Sequence, residues 1–438
     1  MLINMTQKTS ESGNQVALKF VIRAFRHRNY QLFFGGQGLS LIGTWMQQIA
    51  MGWLVYRLTN SPFMLGIIGF SGQVPTFLFA SFAGIFADRY NRRHLLFVTQ
   101  ALSMVQAILL AYLTLTGTVE VWHLIILSVF LGLVNAFDIP TRQSFVIDII
   151  ENKKDLGNAI ALNSLMFNGA RIVGPSIAGF LINIVGEGIC FLINAISFFA
   201  IIVALWAMKI PKRKNKIESS NIFKELKEGY NYAFRFAPIR YILLLLALIS
   251  FMGMPYLVLM PIFARDILHG GPHTLGLLMG ASGIGALIGA LYLASRKTVL
   301  GLGKHIVIAS SAFGLGLTVF SLSHYMLLSL SMMFLTGFGM IVQSASSNTI
   351  LQTIVEEDKR GRIMSLFAMS FMGMAPFGSL MAGSLASHIG APHTLIISGI
   401  CCIAGSLLFL TKLPHIRKKV RPIYVQMGII REMPTELQ

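Results

Sequence analysis

The chain has 438 residues, 55% of them hydrophobic and only 12% charged, and its mean hydropathy of +0.69 excludes a soluble globular domain, which could not stay dispersed with that surface. A formal charge of +18 raises the question of a nucleic-acid partner, and only the distribution of that charge can answer it. The three cysteines, Cys190, Cys401 and Cys402, all fall in apolar segments, which implies no disulfide framework and suits small core residues.

In chain order, residues 1–30 are polar and then basic, without the apolar core and cleavage site of a signal peptide. Apolar runs long enough to cross roughly 30 Å of hydrocarbon then recur. They predict twelve spans at 31–56, 62–86, 95–116, 121–139, 157–184, 188–208, 241–264, 273–295, 305–323, 325–348, 363–388 and 392–411. Lys and Arg number five before the first span, then three, three, nine, three and three in alternate loops and six in the tail, 32 of 35 in all. The others are Arg57 and Arg265 on the opposite side and Arg171 within a span. The positive-inside rule therefore predicts both termini in the cytoplasm. Membrane orientation accounts for the charge, and no nucleic acid is expected.

The longest polar stretch, 209–240, carries Phe223, Leu226, Tyr230 and Phe234 at helical spacing, which predicts an amphipathic helix on the cytoplasmic membrane face. It divides the chain into predicted bundles at 31–208 and 241–411, flanked by basic segments at 1–30 and 412–438. A weak repeat links the halves: Gly174-Pro-Ser-Ile-Ala-Gly179 with Gly186 matches Gly378-Ser-Leu-Met-Ala-Gly383 with Gly390 at one constant offset. The expected architecture is an all-α integral membrane protein of twelve transmembrane helices in two six-helix bundles.

Several segments occur in the order found in one family: Leu39-Ser-Leu-Ile-Gly-Thr-Trp45, Leu58-Thr-Asn-Ser-Pro62, Gly84-Ile-Phe-Ala-Asp88-Arg89-Tyr-Asn91-Arg92-Arg93, Asn135-Ala-Phe-Asp138-Ile-Pro140-Thr-Arg142-Gln143, and Asn158 through Pro175. With these the chain resembles the major facilitator superfamily, and its first half resembles the branch of bacterial enterobactin-type siderophore exporters and macrolide efflux proteins. The resemblance implies that Gly84, Asp88, Arg89, Arg92 and Arg93 knit helix ends together and hold one face closed. Asp138, Arg142 and Asp148 are expected at or beyond the cytoplasmic end of the fourth span, as members of that network or as separate solvated charges. Asn91 stands where the family usually has Gly, a substitution mild for a residue that tolerates left-handed backbone. Gly174, Pro175 and Gly179 resemble a motif of facilitator antiporters and predict either a flexing seam or a tightly packed, Pro-kinked helix.

Arg171 lies about 22 Å into its span, too deep to face lipid cheaply. Ser164, Asn168, Arg171 and Pro175 share its helical face, and Gln37, Ser40, Thr44 and Gln47 or Gln48 make a second polar stripe. The stripes predict a central substrate cavity; a structural arginine satisfied by carbonyls and glutamines is the other reading. Tyr256, Gln343 and a set of methionines in the second half are expected either to line a deformable wall or to form plain core. No carboxylate is expected near mid-membrane, which leaves Asp138, Asp148 and Asp266 as edge candidates for proton coupling.

These features predict a secondary exporter of a medium-sized amphipathic or anionic molecule, such as a siderophore, macrolide or related metabolite, across the bacterial inner membrane, proton-coupled by family expectation. An importer or lipid flippase of the same fold is the alternative. A membrane-embedded enzyme is disfavoured, since no catalytic or phosphate-binding motif is present. Neither cofactor nor metal is expected. The expected partners are a small-molecule substrate and the bilayer, the chain working as a monomer, with an outer-envelope export partner left open.

Overall fold

A computed structural model describes residues 23–209, 230–296 and 298–430, with the side chains at 80, 81, 84, 85, 87–89, 153 and 358 left outside the description. Phe223 and Leu226 of the expected amphipathic helix therefore lie outside the described residues, as do the side chains of Gly84, Asp88 and Arg89. The long helices are α1 (Arg28–Thr59), α2 (Pro62–Arg89), α3 (Arg92–Leu115), α4 (Val121–Ile149), α5 (Leu156–Ala207), α6 (Ala237–Ile267), α7 (Pro272–Ala294), α8 (Leu302–Leu322), α9 (Met326–Ile354), α10 (Lys359–Ile389) and α11 (Ala391–Gln426). Among the described residues, ten helices are long and apolar enough to cross a membrane. The helix outside that set is α1, whose glutamines and Arg57 dilute its apolar character.

Local chemistry sets the helix limits. Ser61 caps α2, its side chain accepting from Met64 N ahead of Pro62 at the first helical position. Asn91 has extended backbone, φ −66° and ψ 111°, and its side chain accepts from the amides of Arg93 and His94. The residue thus serves as a helix cap, and the left-handed conformation expected of it is not used. Within α5 the backbone leaves helical geometry at Gly186, φ 79° and ψ 174°, between the two spans predicted there. Gly390, its counterpart in the repeat, has φ 83°. Both positions need a residue without a Cβ.

Two helices outrun their expected ends. α4 continues past 139 to Ile149, because Asp138 and Arg142 pair inside the bundle and so do not have to leave the apolar layer. α11 continues past 411 to Gln426 with Pro414 and Pro422 inside it. α6 and α10 contain π-turns at Ile249–Gly253, Phe263–Ile267 and Met369–Gly373. Pro255 cannot donate to the Phe251 carbonyl, and Gly378 of α10 lies directly against that carbonyl.

Helices α1–α5 pack mainly on one another and α6–α11 do likewise, while the two groups meet at α5 with α7 and at α2 with α10. Each meeting is a glycine crossing. A Cβ on Gly179 would stand 2.6 Å from Pro272 O, and one on Gly383 would stand 2.8 Å from Pro62 O. Gly276 and Gly66 complete the two crossings, with a Cβ 3.0 Å from Gly179 Cα and 3.0 Å from Gly383 Cα respectively. The sequence repeat is thus a structural pseudo-twofold.

Side chains add to the two crossings. Tyr56 donates to Asp266, Arg265 Nη1 donates to Asn60 Oδ1 at 2.7 Å, and Phe70 and Phe77 pack on Phe377. These contacts join the two groups near the α1–α2 turn and along α2.

Candidate binding cleft between the two halves

Arg171 occupies the seam between the halves, only 7% exposed. Its Cζ lies 5.9 Å from the Trp45 ring centroid, and Nη2 is directed at Met340 Sδ of α9 at 3.8 Å. A thioether is a weak acceptor. No carboxylate pairs with Arg171 among the described residues. A guanidinium withdrawn from water without a counter-ion is costly, and natural chains keep such groups where they meet a ligand or a cavity.

Its predicted companions divide. One turn away, Asn168 Nδ2 donates to Ser164 O at 2.8 Å, and both residues are partly open beside Arg171. Thr44 Oγ1 donates to Ser40 O at 2.8 Å. Gln47 is drawn away into a buried amide chain, donating to Gln106 Oε1 at 2.9 Å and accepting from Asn194 Nδ2 at 2.8 Å. That chain ties α1, α3 and α5. Gln48 is exposed on another face. Tyr256 is fully buried, its hydroxyl 3.0 Å from Ser282 Oγ and its ring against Phe313, as a core residue would be. Gln37 Nε2, Gln343 Oε1 and Ser346 Oγ are buried without a hydrogen-bond partner.

The charged residues form two separate groups. Asp138, 4% exposed, accepts from Thr99 Oγ1 at 3.0 Å and Gln100 Nε2 at 2.7 Å, with Arg142 Nε at 3.8 Å. Ser40 Oγ donates to Gln100 Oε1 at 3.3 Å, so a polar line runs from α1 through α3 to α4. Near the α4 C-terminus Arg92 Nη1 meets Asp148 Oδ2 at 3.0 Å. Arg93 donates to the carbonyls of Leu205 at 2.8 Å and Trp206 at 2.9 Å, satisfying the C-terminal turn of α5. Arg92 thus ties the start of α3 to α4, and Arg93 ties it to the end of α5.

Gly174 and Pro175 are buried at the same seam. A Cβ on Gly174 would stand 2.6 Å from Trp45 Cβ and 2.7 Å from Ile42 O, so the glycine lets α1 and α5 meet face to face. Sequence reasoning passed over Trp45, Met340 and Gln100, which no spacing marked out, and Glu187. Glu187 binds Arg57 through two contacts of 2.8 and 3.2 Å near the α1–α2 turn. No group of His, Cys, Asp and Glu able to hold a metal ion occurs among the described residues.

Residues 22–424 match the family described as transmembrane secretion effector. The chain is 28% identical over 381 residues to the staphyloferrin A transporter of Staphylococcus aureus (strain NCTC 8325 / PS 47), covering 86% of this chain and 94% of that one. It is 24% identical over 399 residues to macrolide efflux protein A of Streptococcus pyogenes, covering 86% and 96%. Among solved structures it resembles a bacterial homolog of the human lysosomal transporter Spinster in an inward-facing, unoccupied conformation, with a TM-score of 0.66, 14% identity and coverage of 90% and 98%.

Proposed function

The chain belongs to the transmembrane secretion effector family of the major facilitator superfamily, a family of transporters and not enzymes, and from that premise we propose that it exports an anionic or amphipathic small molecule across the bacterial inner membrane by alternating access. The observation that carries this reading is Arg171, a buried guanidinium with no carboxylate partner among the described residues, set in the seam between the two halves.

Twelve spans follow from counting α1 as a span and dividing α5 at Gly186. They make two six-helix bundles, 31–208 and 241–411, joined by the linker 209–240 and followed by the basic tail 412–438. Both termini are cytoplasmic by the Lys and Arg distribution, so the α1–α2 turn lies on the opposite side of the membrane. Arg171 receives the anion, and Ser164, Asn168 and Thr44 border it. The two bundles rock about the seam, the loop of Asp88 and the Arg92–Asp148 pair helping to lock the cytoplasmic gate, and the glycine crossings separate when the opposite side opens. Asp138 is the membrane-embedded carboxylate available for proton coupling. The protein works as a monomer.

Inverted membrane vesicles test this directly. With a proton gradient imposed, a panel of siderophores, macrolides and cationic dyes is offered. The expected result is gradient-driven accumulation of an anionic or amphipathic compound inside the vesicles. Accumulation confined to cationic dyes would sink the anionic reading, and none at all would point to import or to a lipid substrate.

A further inference from the structure

Resting on the reading of Arg171 as the anion anchor, we propose that Trp45 and Phe167 make this an aryl-anion site, selecting a carboxylate borne on a planar ring, with Met340 as its displaceable cap. Three observations carry the assignment. The Arg171 Cζ lies over the Trp45 ring, 5.9 Å from its centroid, and Phe167 stands edge-on to Trp45 with centroids 5.9 Å apart at 70°. Phe167 is 42% exposed, so the aromatic pair that flanks the charge keeps an uncovered surface. Charge and ring thus adjoin in the site, and a ligand that satisfies both carries its charge next to its ring.

Two neutral polar groups of the predicted stripes have committed donors: Thr44 gives its hydroxyl proton to Ser40 O at 2.8 Å and Asn168 gives an amide proton to Ser164 O at 2.8 Å. The guanidinium is the one cationic donor of the site, and a single carboxylate meets its edge. Met340 Sδ at 3.8 Å is the only hydrogen-bond acceptor Arg171 has among the described residues. A carboxylate oxygen is a far stronger acceptor and displaces it, and the flexible Met side chain can repack. Because Met340 belongs to the second half, the exchange is felt across the seam.

The Gly174-Pro175 motif acquires a role in this arrangement. Gly174 follows Arg171 by one helical turn, and the missing Cβ is what seats Trp45 against α5. The motif places the ring over the guanidinium, whether or not it also flexes.

The test is equilibrium binding to the full-length protein in lipid nanodiscs, with 1-naphthoate, the ring-saturated decahydronaphthalene-1-carboxylate and the neutral 1-naphthamide as probes. We expect naphthoate to bind about tenfold more tightly than either comparison probe. Trp45→Leu should erase the preference for the aromatic acid while leaving the saturated acid unchanged, Gly174→Ala should act in the same direction, and Trp45→Phe, the milder replacement should Trp45→Leu misfold, should keep most of the preference. Equal affinity of the two acids in the wild type overturns the proposal, as does an equal loss of both acids in Trp45→Leu. If neither acid outbinds the amide in the wild type and Arg171→Gln changes nothing, the anion reading of Arg171 fails first and this inference falls with it.

Discussion

At the scale of residues, function rests on side chains placed against the ordinary preferences of a membrane interior. Arg171 is the strongest case. Replacing it by Gln removes a charge-assisted contact worth roughly 1.5–3 kcal/mol, so transport of an anionic substrate should fall at least about tenfold, measured as initial flux at limiting substrate, while the amount of folded protein stays the same. Arg92 and Asp148 make a different claim. Asp148→Asn should impair every substrate alike, and the exchanged pair Arg92→Asp with Asp148→Arg should recover part of the flux if the charge pair is what matters. Equal failure of single and exchanged variants would assign these residues to folding. Arg171 was legible in the sequence because a lone charge deep in an apolar run has few explanations. Trp45 and Met340 were not, because an aromatic and a thioether in such a run look like core until a neighbour gives them an orientation. Gln47, marked by polar spacing, faces another helix here, and Tyr256 packs as the core residue that was one of its two readings.

At the scale of elements, glycines decide where helices touch. Gly66 on α2 and Gly276 on α7 lie against Gly383 and Gly179, and a Cβ at either would press on backbone of the opposing helix. Gly66→Val or Gly276→Val should therefore disfavour closure at the α1–α2 end, read as faster labelling there by a membrane-impermeant thiol reagent at a single introduced cysteine. Unchanged labelling would mean that the crossings are not the points of closure. The repeat that paired Gly179 with Gly383 was visible in the sequence; the partners Gly66 and Gly276 were not, since crossing partners depend on the whole arrangement. The helix α4 runs to Ile149, beyond the predicted span end at 139, and Asp138 is satisfied inside the bundle by Thr99, Gln100 and Arg142. The start of α5 is clasped by the segment before α1: Asp155 meets His27 and Arg23, Ala24 N donates to Asn158 at 2.8 Å, and Tyr30 donates to Ala159 O at 3.0 Å. The His27 hydrogen bond is the main cause holding the Asp155 carboxyl below the ordinary carboxylate range; desolvation opposes it and Arg23 reinforces it. A depressed carboxyl stabilises the folded arrangement above its unfolded value and loses that contribution as pH falls through the lowered one. Protection of residues 23–30 against hydrogen exchange should hold at neutral pH and weaken only below the usual carboxylate range, and Asp155→Asn should weaken it at neutral pH and meet the wild type once the carboxyl is protonated.

At the scale of the molecule, the two halves meet along the α5–α7 and α2–α10 crossings with Arg171 in the seam. A carrier needs such a seam, because a site enclosed between two rigid bundles is exposed to one side at a time when the bundles rock. The all-helical membrane fold could be read from hydropathy, since the bilayer forces helices of a set length. The conformation could not, because both conformations of a carrier share one sequence. The most direct measurement is a pair of spin-label distances in the reconstituted protein, one between positions 160 and 349 and one between 58 and 269 at the α1–α2 end, with and without a compound that accumulates in vesicles under a proton gradient. Rocking predicts opposite changes, one distance shortening as the other lengthens. Two distances that stay fixed, or that change in the same direction, would contradict alternating access in this chain.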